Sequence, residues 1–273
     1  MTIQFQQIHP VAQLFILGVL LYLILCLVAC AVSGPMMFPA PKPSYDESYP
    51  SVTLRTSEGA SVSGVFFENP DAELTILFSH GNGEDIGRMR EFLNELRAIG
   101  FSVFAYDYPG YGLSEGSPSE EGCYLAAEAA YRYLVEKRGI DSRKLILHGR
   151  SLGSGPSVEL ATRYEVGGII LESPFVSAFR VLTRIKLFPF DRFMNLDKID
   201  DIGCPSLIIH GELDEVVPFW HGRALHEAAP EPKEFLAVPE ASHNNLSTVG
   251  GATYLEAIRA FGDGLLSRTE GNP

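Results

Sequence analysis

From Ser51 onward, short apolar runs alternate with stretches of helical periodicity, and few folds accommodate that alternation. The first two runs flank the turn sequence SEGA and predict a β-hairpin. The predicted strands lie in SVTLRT, SVSGVFF, LTILFSHG, SVFAYDY, KLILHG, GGIILES, PSLIIHGE and KEFLAVPE. A hairpin followed by repeated strand–helix units predicts an α/β fold with a mostly parallel, eight-stranded sheet and helices on both faces. Functional residues are then expected at the carboxyl ends of the strands.

Two of the predicted helices are delimited by their own residues. The helix after the third predicted strand has one apolar stripe, which consists of Ile86, Met89, Leu93 and Leu96. Ser117 stands three residues before Glu120, with Pro118 between them, and this is the pattern of a capping box. The next helix is therefore predicted to begin at Pro118.

The segment from Val11 to Ser33 contains no charged residue and is long enough to cross a bilayer as a helix. Within it, LVAC resembles a bacterial lipobox, in which Cys30 becomes the lipidated first residue of the mature chain. The preceding MTIQFQQIHP lacks the Lys or Arg of an export signal, so lipidation of Cys30 and a plain transmembrane anchor stay open as alternatives. Lys42 alone follows closely, which gives the positive-inside rule little to act on. An extracytoplasmic or periplasmic position of the domain is favoured, and a cytoplasmic one stays open as the alternative.

A proline-rich stretch follows the apolar segment, with prolines at positions 35, 39, 41, 43 and 50. Because proline fixes φ and removes a hydrogen-bond donor, this stretch predicts an extended spacer. The predicted division is a hydrophobic anchor or lipoprotein-type signal over residues 1–33, a spacer over 34–50, a folded domain over 51–268 and a tail over 269–273.

Charge and cysteine content argue against several classes of protein. The 273 residues carry a formal net charge of −13 without clusters of Lys or Arg, which argues against nucleic acid as a partner. The four cysteines have no metal-type spacing, and no cluster of ligands indicates a metal. We therefore expect neither a metal nor another cofactor.

Two stretches match the G-x-S-x-G pattern, GLSEG at Gly112 to Gly116 and GRSLG at Gly149 to Gly153. A nucleophilic serine of this type needs a strand that runs directly into a tight turn, and the turn must open a helix. KLILHGRSLGSGPSVELATRY meets these demands and places Ser151 in the turn. The loop PGYG separates Ser114 from its strand, so Ser151 is the predicted nucleophile and Ser114 a loop residue.

A serine hydroxyl requires a base, and the base requires an orienting carboxylate. Asp214 follows the strand in PSLIIHGE, and His243 lies in the loop after the last predicted strand. The order Ser, Asp, His is the one this architecture uses. We therefore predict Asp214 as the acid and His243 as the base, with Glu212 as the alternative acid.

Acyl transfer also requires two N–H groups directed at the developing oxyanion. The amide of Leu152 follows the predicted nucleophile immediately, and the amide of Asn82 lies in SHGNGED, after the third predicted strand. We predict that these two amides form the oxyanion hole.

Six motifs in this order resemble the α/β-hydrolase superfamily over roughly residues 51–266: SHGNGED, YDYPGYGLSEG, HGRSLGSGP, LESPF, HGELDEVVP and ASHNN. The pattern resembles in particular the small, nearly lidless members, which include membrane-anchored bacterial hydrolases and eukaryotic depalmitoylases. The resemblance implies an α/β-hydrolase fold with a minimal cap, and a serine hydrolase that needs no cofactor. A membrane-tethered, open site predicts acyl ester or thioester substrates, such as lipids or lipidated proteins at a bilayer. The depalmitoylases' N-terminal cysteine cluster on an amphipathic helix is absent from this sequence.

Only about 30 residues separate LESPF from PSLIIHG, which is too few for a large lid. Four apolar residues of this segment are predicted to line an acyl pocket, with burial in the core as the alternative: Phe188, Phe190, Phe193 and Met194. A serine triad does not distinguish esters from amides, so a serine peptidase or amidase remains an alternative. A non-catalytic binding module on the same fold is another.

Overall fold

The computed structural model describes residues 9–270, apart from the side chains of residues 35, 36, 269 and 270. The chain separates into two compact units, Met1–Pro39 and Ala40–Pro273. The first eight residues of the predicted anchor and the last three of the predicted tail lie outside the described residues.

The first unit contains one long helix, α1 (Pro10–Met37). Its stretch Pro10–Gly34 is long and apolar enough to cross a membrane, a test that signal sequences also pass. Most of its large apolar side chains are exposed, and so is Cys30.

The second unit is built on one eight-stranded sheet. Its strands are β1 (Val52–Arg55), β2 (Ser61–Phe67), β3 (Thr75–Ser79), β4 (Ser102–Tyr106), β5 (Leu145–Arg150), β6 (Gly168–Glu172), β7 (Ser206–Gly211) and β8 (Lys233–Val238). They lie in the order β1-β2-β4-β3-β5-β6-β7-β8. β2 is antiparallel to β1 and to β4, and the remaining pairs are parallel. The mostly parallel, eight-stranded sheet predicted from the sequence is confirmed.

Helices cover both faces of this sheet. They are α2 (Arg90–Ala98), α3 (Glu120–Arg132), α4 (Ser154–Arg163), α5 (Ala178–Thr183), α6 (Trp220–Ala228) and α7 (Leu246–Glu270). α2 and α7 bury apolar residues against one face, where Ile76 and Phe78 of β3 belong to the same core cluster. α3 and α4 pack against each other and against the sheet on the opposite face. Because side chains alternate along a strand, β3 contributes to both layers.

The predicted start of α3 is wrong by two residues. Ser119 caps this helix, because its side chain accepts a hydrogen bond of 2.9 Å from the backbone N–H of Gly122, and the helix begins at Glu120. Pro118 instead packs beside Gly110, where an added Cβ would lie 2.7 Å from the proline Cδ. Packing of the preceding loop therefore overrides the local capping pattern.

The connection from β6 to β7 contains only α5 and two short 3₁₀ turns, Asn195–Asp197 and Ile199–Asp201. α5 has six residues. This connection leaves the carboxyl end of β6, so the cap over that edge of the sheet is small.

Candidate active site

Ser151 lies at the turn between β5 and α4. β5 ends at Arg150, a 3₁₀ turn spans Ser151–Gly153, and α4 begins at Ser154. The φ angle of Ser151 is 50°, in the left-handed region that non-glycine residues rarely occupy. Strain of this kind persists where the surrounding structure enforces it, and it often marks functional sites.

The glycines on either side of Ser151 allow neighbouring backbone to approach closely. A Cβ at Gly153 would lie 2.0 Å from the carbonyl oxygen of Ser79, at the end of β3. A Cβ at Gly149 would lie 2.4 Å from the carbonyl oxygen of Gly153. Both contacts are with backbone, which cannot move aside as a side chain does. The turn therefore requires glycine at both positions.

Ser151, His243 and Asp214 are joined by hydrogen bonds in series. The Oγ of Ser151 lies 3.0 Å from Nε2 of His243, and Nδ1 of His243 lies 2.8 Å from Oδ2 of Asp214. The serine follows β5, the aspartate follows β7 and the histidine follows β8, so three strand ends of one sheet edge supply them. The structure thus brings together the three side chains predicted from the sequence.

The carboxylate of Asp214 is held in its ionised form. Burial alone raises its pKa, but hydrogen bonding to His210 and to His243, together with the backbone N–H of Val217, lowers the pKa well below its ordinary value. Its Oδ1 accepts the amides of Val216 and Val217 at 3.0 and 2.7 Å. An ionised carboxylate can only accept, so Nδ1 of His243 carries a proton. Its Nε2 is then free to accept the hydroxyl proton of Ser151.

The loop that follows β3 lies beside the nucleophile. A Cβ placed on Gly81 would be 3.6 Å from the Cβ of Ser151, so Gly81 lies directly beside the nucleophile. The side-chain Oδ1 of Asn82 accepts a hydrogen bond of 2.8 Å from the hydroxyl of Tyr111. Leu152, the other residue predicted to donate an amide, is buried in the turn after Ser151. Leu152 therefore follows Ser151 directly, and Gly81, the neighbour of Asn82, lies beside it.

His80 holds this loop in place. Its Nδ1 lies 2.8 Å from the carbonyl oxygen of Gly81, and its Nε2 lies 3.3 Å from Oδ1 of Asp107. Burial lowers the pKa of His80, but the contact with Asp107 outweighs burial, and the pKa is raised from its ordinary value. The hydrogen bond at Nδ1 and the ion-pair contact with Asp107 together restrain the conformation of the backbone that follows His80.

Residues 70–195 of the chain match a family described as serine aminopeptidase, S33. Human alpha/beta hydrolase domain-containing protein 17B is 44% identical over 211 residues, which cover 76% of this chain and 73% of that protein. Alpha/beta hydrolase domain-containing protein 17C of Xenopus tropicalis is 42% identical over 212 residues, covering 76% of this chain and 67% of that protein. A solved esterase of Pyrococcus furiosus superposes with a TM-score of 0.69 at 19% identity, over 82% of this chain and 97% of its own.

The two related sequences are 44% and 42% identical to this chain over 76% of its length, and the solved esterase has the same fold. The chain belongs to the α/β-hydrolase superfamily. It is a serine hydrolase of that superfamily, and the fold expected from its motifs is confirmed.

Three charged residues of this hydrolase, not singled out in the sequence, connect the nucleophile turn to the loop after β3. The guanidinium of Arg150 lies 3.4 Å from Oε1 of Glu84 and 3.4 Å from Oε1 of Glu172. Oε2 of Glu84 in turn accepts a hydrogen bond of 2.7 Å from the backbone N–H of Gly81. The sequence signal was present, because Arg150 immediately precedes Ser151 and Glu84 lies in SHGNGED.

Glu172 is the buried end of this charge network. Burial raises its pKa, but Arg150 and the nearby ring of His148 outweigh burial and lower the pKa from 4.5 to about 2. The hydroxyl of Tyr254 donates a further hydrogen bond of 2.8 Å to it. The carboxylate therefore stays charged beneath the catalytic edge and neutralises Arg150.

Ser114, the serine of the other G-x-S-x-G stretch, and Glu212, the alternative acid, lie outside the series of hydrogen bonds at His243. The Oγ of Ser114 accepts a hydrogen bond of 3.0 Å from the backbone N–H of Ser63 in β2. Glu212 is exposed, and its backbone N–H donates to the carbonyl of Val238. The series of hydrogen bonds at His243 runs through Asp214 instead.

The aromatic residues of the β6–β7 connection fall into two groups. Phe188 and Phe190 are half-buried, and their stacked rings lie 5.7 Å apart, each also in contact with Phe179. Phe193 is fully buried, and its ring occupies the space that a Cβ at Gly155 would fill. Met194 is half-buried. Phe193 thus packs in the core of the cap, while the other three predicted residues reach solvent.

Within the described ranges, no three His, Cys, Asp or Glu side chains are grouped so that they could hold a metal ion. The two cysteines of the folded unit, Cys123 and Cys204, are buried thiols. Burial raises the pKa of the Cys204 thiol to about 12, so this thiol is protonated and inert near neutral pH.

Proposed function

We propose that this protein is a membrane-anchored serine hydrolase that cleaves carboxylic ester or thioester bonds of acyl substrates through Ser151, His243 and Asp214. One observation carries the proposal. It is the unbroken series of hydrogen bonds from the Ser151 hydroxyl through the His243 imidazole to the ionised carboxylate of Asp214.

In the proposed reaction, Oγ of Ser151 attacks the substrate carbonyl while Nε2 of His243 accepts the hydroxyl proton. Asp214 orients the imidazole and stabilises its positive charge. The amides of Leu152 and Asn82 donate to the oxyanion of the tetrahedral intermediate. His243 then returns the proton to the leaving alcohol or thiol, and an acyl-enzyme remains. Water, activated by the same histidine, hydrolyses it and regenerates the serine.

Acyl substrates are supported by the openness of the site and by the relatives. The short β6–β7 connection leaves the catalytic edge accessible to a bulky substrate, and half-buried Phe188, Phe190 and Met194 lie on that connection. We propose that these three residues contact the acyl chain. The likeness to a solved esterase points in the same direction.

The anchor is proposed to be α1, whose apolar length matches the thickness of a bilayer. We propose a retained transmembrane helix with the catalytic unit on the extracytoplasmic side. Lipidation of Cys30 is the alternative. Mass measurement of the purified chain separates the two, because lipidation at Cys30 removes the preceding 29 residues and adds acyl groups.

The catalytic role of Ser151 is tested by covalent labelling with a fluorophosphonate, using the two G-x-S-x-G serines as a matched pair. We expect the wild-type chain and Ser114→Ala to be labelled, and Ser151→Ala to remain unlabelled. Labelling that persists in Ser151→Ala would overturn the assignment. A wild-type chain that resists labelling would favour a binding module.

A second assay separates the bond types. The purified chain is offered acyl esters and thioesters of increasing chain length and, in parallel, aminoacyl peptides. We expect turnover of esters and thioesters, increasing with chain length and abolished in Ser151→Ala. Preferential cleavage of aminoacyl peptides would replace the proposal with a peptidase, the activity named for the matched family.

A further inference from the structure

Exposed apolar side chains of the catalytic unit are confined to one edge of its sheet. Within residues 40–268, the part of this unit whose side chains the structure describes, seven large apolar residues are 37 to 76% exposed. They are Leu113, Leu182, Ile185, Leu187, Leu213, Val216 and Val249. Each lies in a connection that leaves the carboxyl end of β4, β6, β7 or β8, the edge that also carries Ser151 and His243. Such a concentration marks an interaction surface.

The β6–β7 connection adds positive charge to this edge. Residues 178–192 contain four basic residues and one acidic residue, a net charge of +3 in a chain whose total is −13. Leu182 and Ile185 are 76% and 63% exposed, and they flank the exposed Arg184. Lys186 follows directly and is also exposed. Exposed aliphatic residues interleaved with basic ones are suited to an anionic lipid surface.

The chain enters the catalytic unit at the same edge. The backbone N–H of Ser44 donates to Oδ2 of Asp85 at 2.7 Å, in the loop that follows β3. The hydroxyl of Tyr45 bonds to Asp107 and accepts the amide of Leu113, in the loop that follows β4. Ser44 and Tyr45, near the start of this unit, are therefore fastened to the catalytic edge rather than to the opposite one.

We propose that the catalytic edge docks directly on an anionic bilayer, with Leu182 and Ile185 inserted among the lipids and Arg184 and Lys186 at their phosphates. This inference rests on the proposed function, since it places Ser151 where acyl groups leave the membrane. A second copy of the chain fits the edge less well, because a symmetric contact would bring the two +3 segments together.

The experiment uses Trp220, the one tryptophan of the chain, as a reporter. Trp220 begins α6, at the carboxyl end of β7, and the guanidinium of Arg180 in α5 lies 5.1 Å from its ring centre. The full chain is reconstituted into vesicles of phosphatidylglycerol and phosphatidylcholine whose acyl chains are brominated near the headgroup. We expect bromine to quench Trp220 fluorescence, and more weakly at high salt.

Variants locate the contact. We expect the double variant Leu182→Ser, Ile185→Ser and the variant Lys186→Glu each to reduce quenching by about half. The matched control is Lys137→Glu, which makes the same charge change at the opposite edge, just before the segment that leads to β5. We expect it to leave quenching unchanged. Circular dichroism melting checks that every variant folds.

Several outcomes would overturn the inference. One is quenching that is no greater in anionic than in neutral vesicles. Another is quenching that neither the double variant Leu182→Ser, Ile185→Ser nor Lys186→Glu reduces. A third is self-association of the chain that these variants abolish, in the absence of any quenching. Fluorophosphonate labelling of the same samples reports the proposed function separately. Labelling without quenching removes the docking surface alone, and quenching without labelling removes the catalytic role alone.

Discussion

The two G-x-S-x-G stretches of this chain share a sequence pattern, but the left-handed backbone conformation falls on different residues in each. In Gly112–Gly116 the glycines carry the left-handed conformation, with φ angles of 52° and 88°, and Ser114 does not. In Gly149–Gly153 the glycines have ordinary φ angles and Ser151 carries the left-handed one, at 50°. The first stretch uses glycine to turn a loop. In the second stretch the glycines allow neighbouring backbone to approach closely, and the serine adopts the strained left-handed conformation.

The surroundings differ in the same way. Ser114 accepts a hydrogen bond from a strand amide, so its hydroxyl serves the connection between a loop and β2. Ser151 donates toward an imidazole that is itself held by a carboxylate. A five-residue pattern therefore carries little chemical information, and the strand, turn and helix around it decide what the serine can do.

The largest effect is expected when the carboxylate behind Ser151 is removed, which should make Ser151 nearly as unreactive as Ser114. In Asp214→Asn the side-chain amide can donate a hydrogen bond to Nδ1 of His243, which stabilises the tautomer whose proton is on Nε2, so that Nε2 cannot accept. We expect kcat for a short acyl ester to fall by about 10⁴-fold. Steady-state kinetics of the purified variant measures it.

The matched control for Asp214→Asn is Glu212→Gln. It removes one negative charge from the same loop, but Glu212 is exposed and outside the hydrogen-bond series. We expect kcat within about threefold of the wild type. An equal loss in both variants would show that the loop, and not the carboxylate of Asp214, is what matters.

The second largest effect concerns the glycines of the two stretches. Gly153→Ala places a Cβ 2.0 Å from the carbonyl oxygen of Ser79, so β3 or the turn must shift, and we expect a loss of roughly 3 kcal/mol or more in the free energy of unfolding. Gly116→Ala meets no atom closer than 3.5 Å and adds only left-handed strain, about 1 kcal/mol. Urea unfolding followed by Trp220 fluorescence compares them. Equal losses would contradict the distinction.

The sequence was sufficient for the elements that depend on local pattern. All eight strands are where apolar runs predicted them, and the central strands are mostly apolar because both of their faces are buried. The three side chains at Ser151, Asp214 and His243 were predicted from strand ends, and parallel strands bring such ends to one edge. The order of the strands in the sheet did not follow from the pattern, because alternation specifies faces and not neighbours.

What the sequence missed depends on contacts between distant loops. The apolar stripe predicted a helix that includes Ile86, yet α2 begins only at Arg90. The amide of Ile86 donates to Asp107, 21 residues away, and the amide of Arg88 donates to Asp85. Side-chain acceptors replace the helical carbonyls there and keep residues 86–88 out of the helix. The ion pairs of Arg150 escaped prediction for the same reason.

The third largest effect concerns the buried ion pair beside Ser151. Arg150, the residue before Ser151, depends on the carboxylate of Glu172 for its counter-charge. The pKa of Glu172 is about 2 in the folded protein and 4.5 ordinarily, so the folded state binds fewer protons than the unfolded state between these values. Its contribution is complete above pH 4.5 and is lost as the pH falls toward 2. We expect Glu172→Gln to cost roughly 2–4 kcal/mol at pH 7.

The test for Glu172 is the pH dependence of the difference between wild type and Glu172→Gln, measured by urea unfolding from pH 2.5 to pH 7. Subtracting the variant removes the contribution of other carboxyl groups, Asp214 among them. We expect the difference to shrink steadily below pH 4.5. A difference that is constant with pH would mean that the charge of Glu172 does not stabilise the fold.

The smallest effect belongs to the serine of the other stretch. Ser114→Ala deletes the acceptor of the Ser63 amide in β2, and we expect the free energy of unfolding to fall by about 1 kcal/mol. Ser117→Ala, an exposed serine of the same loop, is the control and should cost less than about 0.5 kcal/mol. Because Ser114 takes no part in the proposed chemistry, hydrolysis should be retained while stability falls. If Ser114→Ala kept its stability but lost hydrolysis, the catalytic serine would be Ser114 and not Ser151.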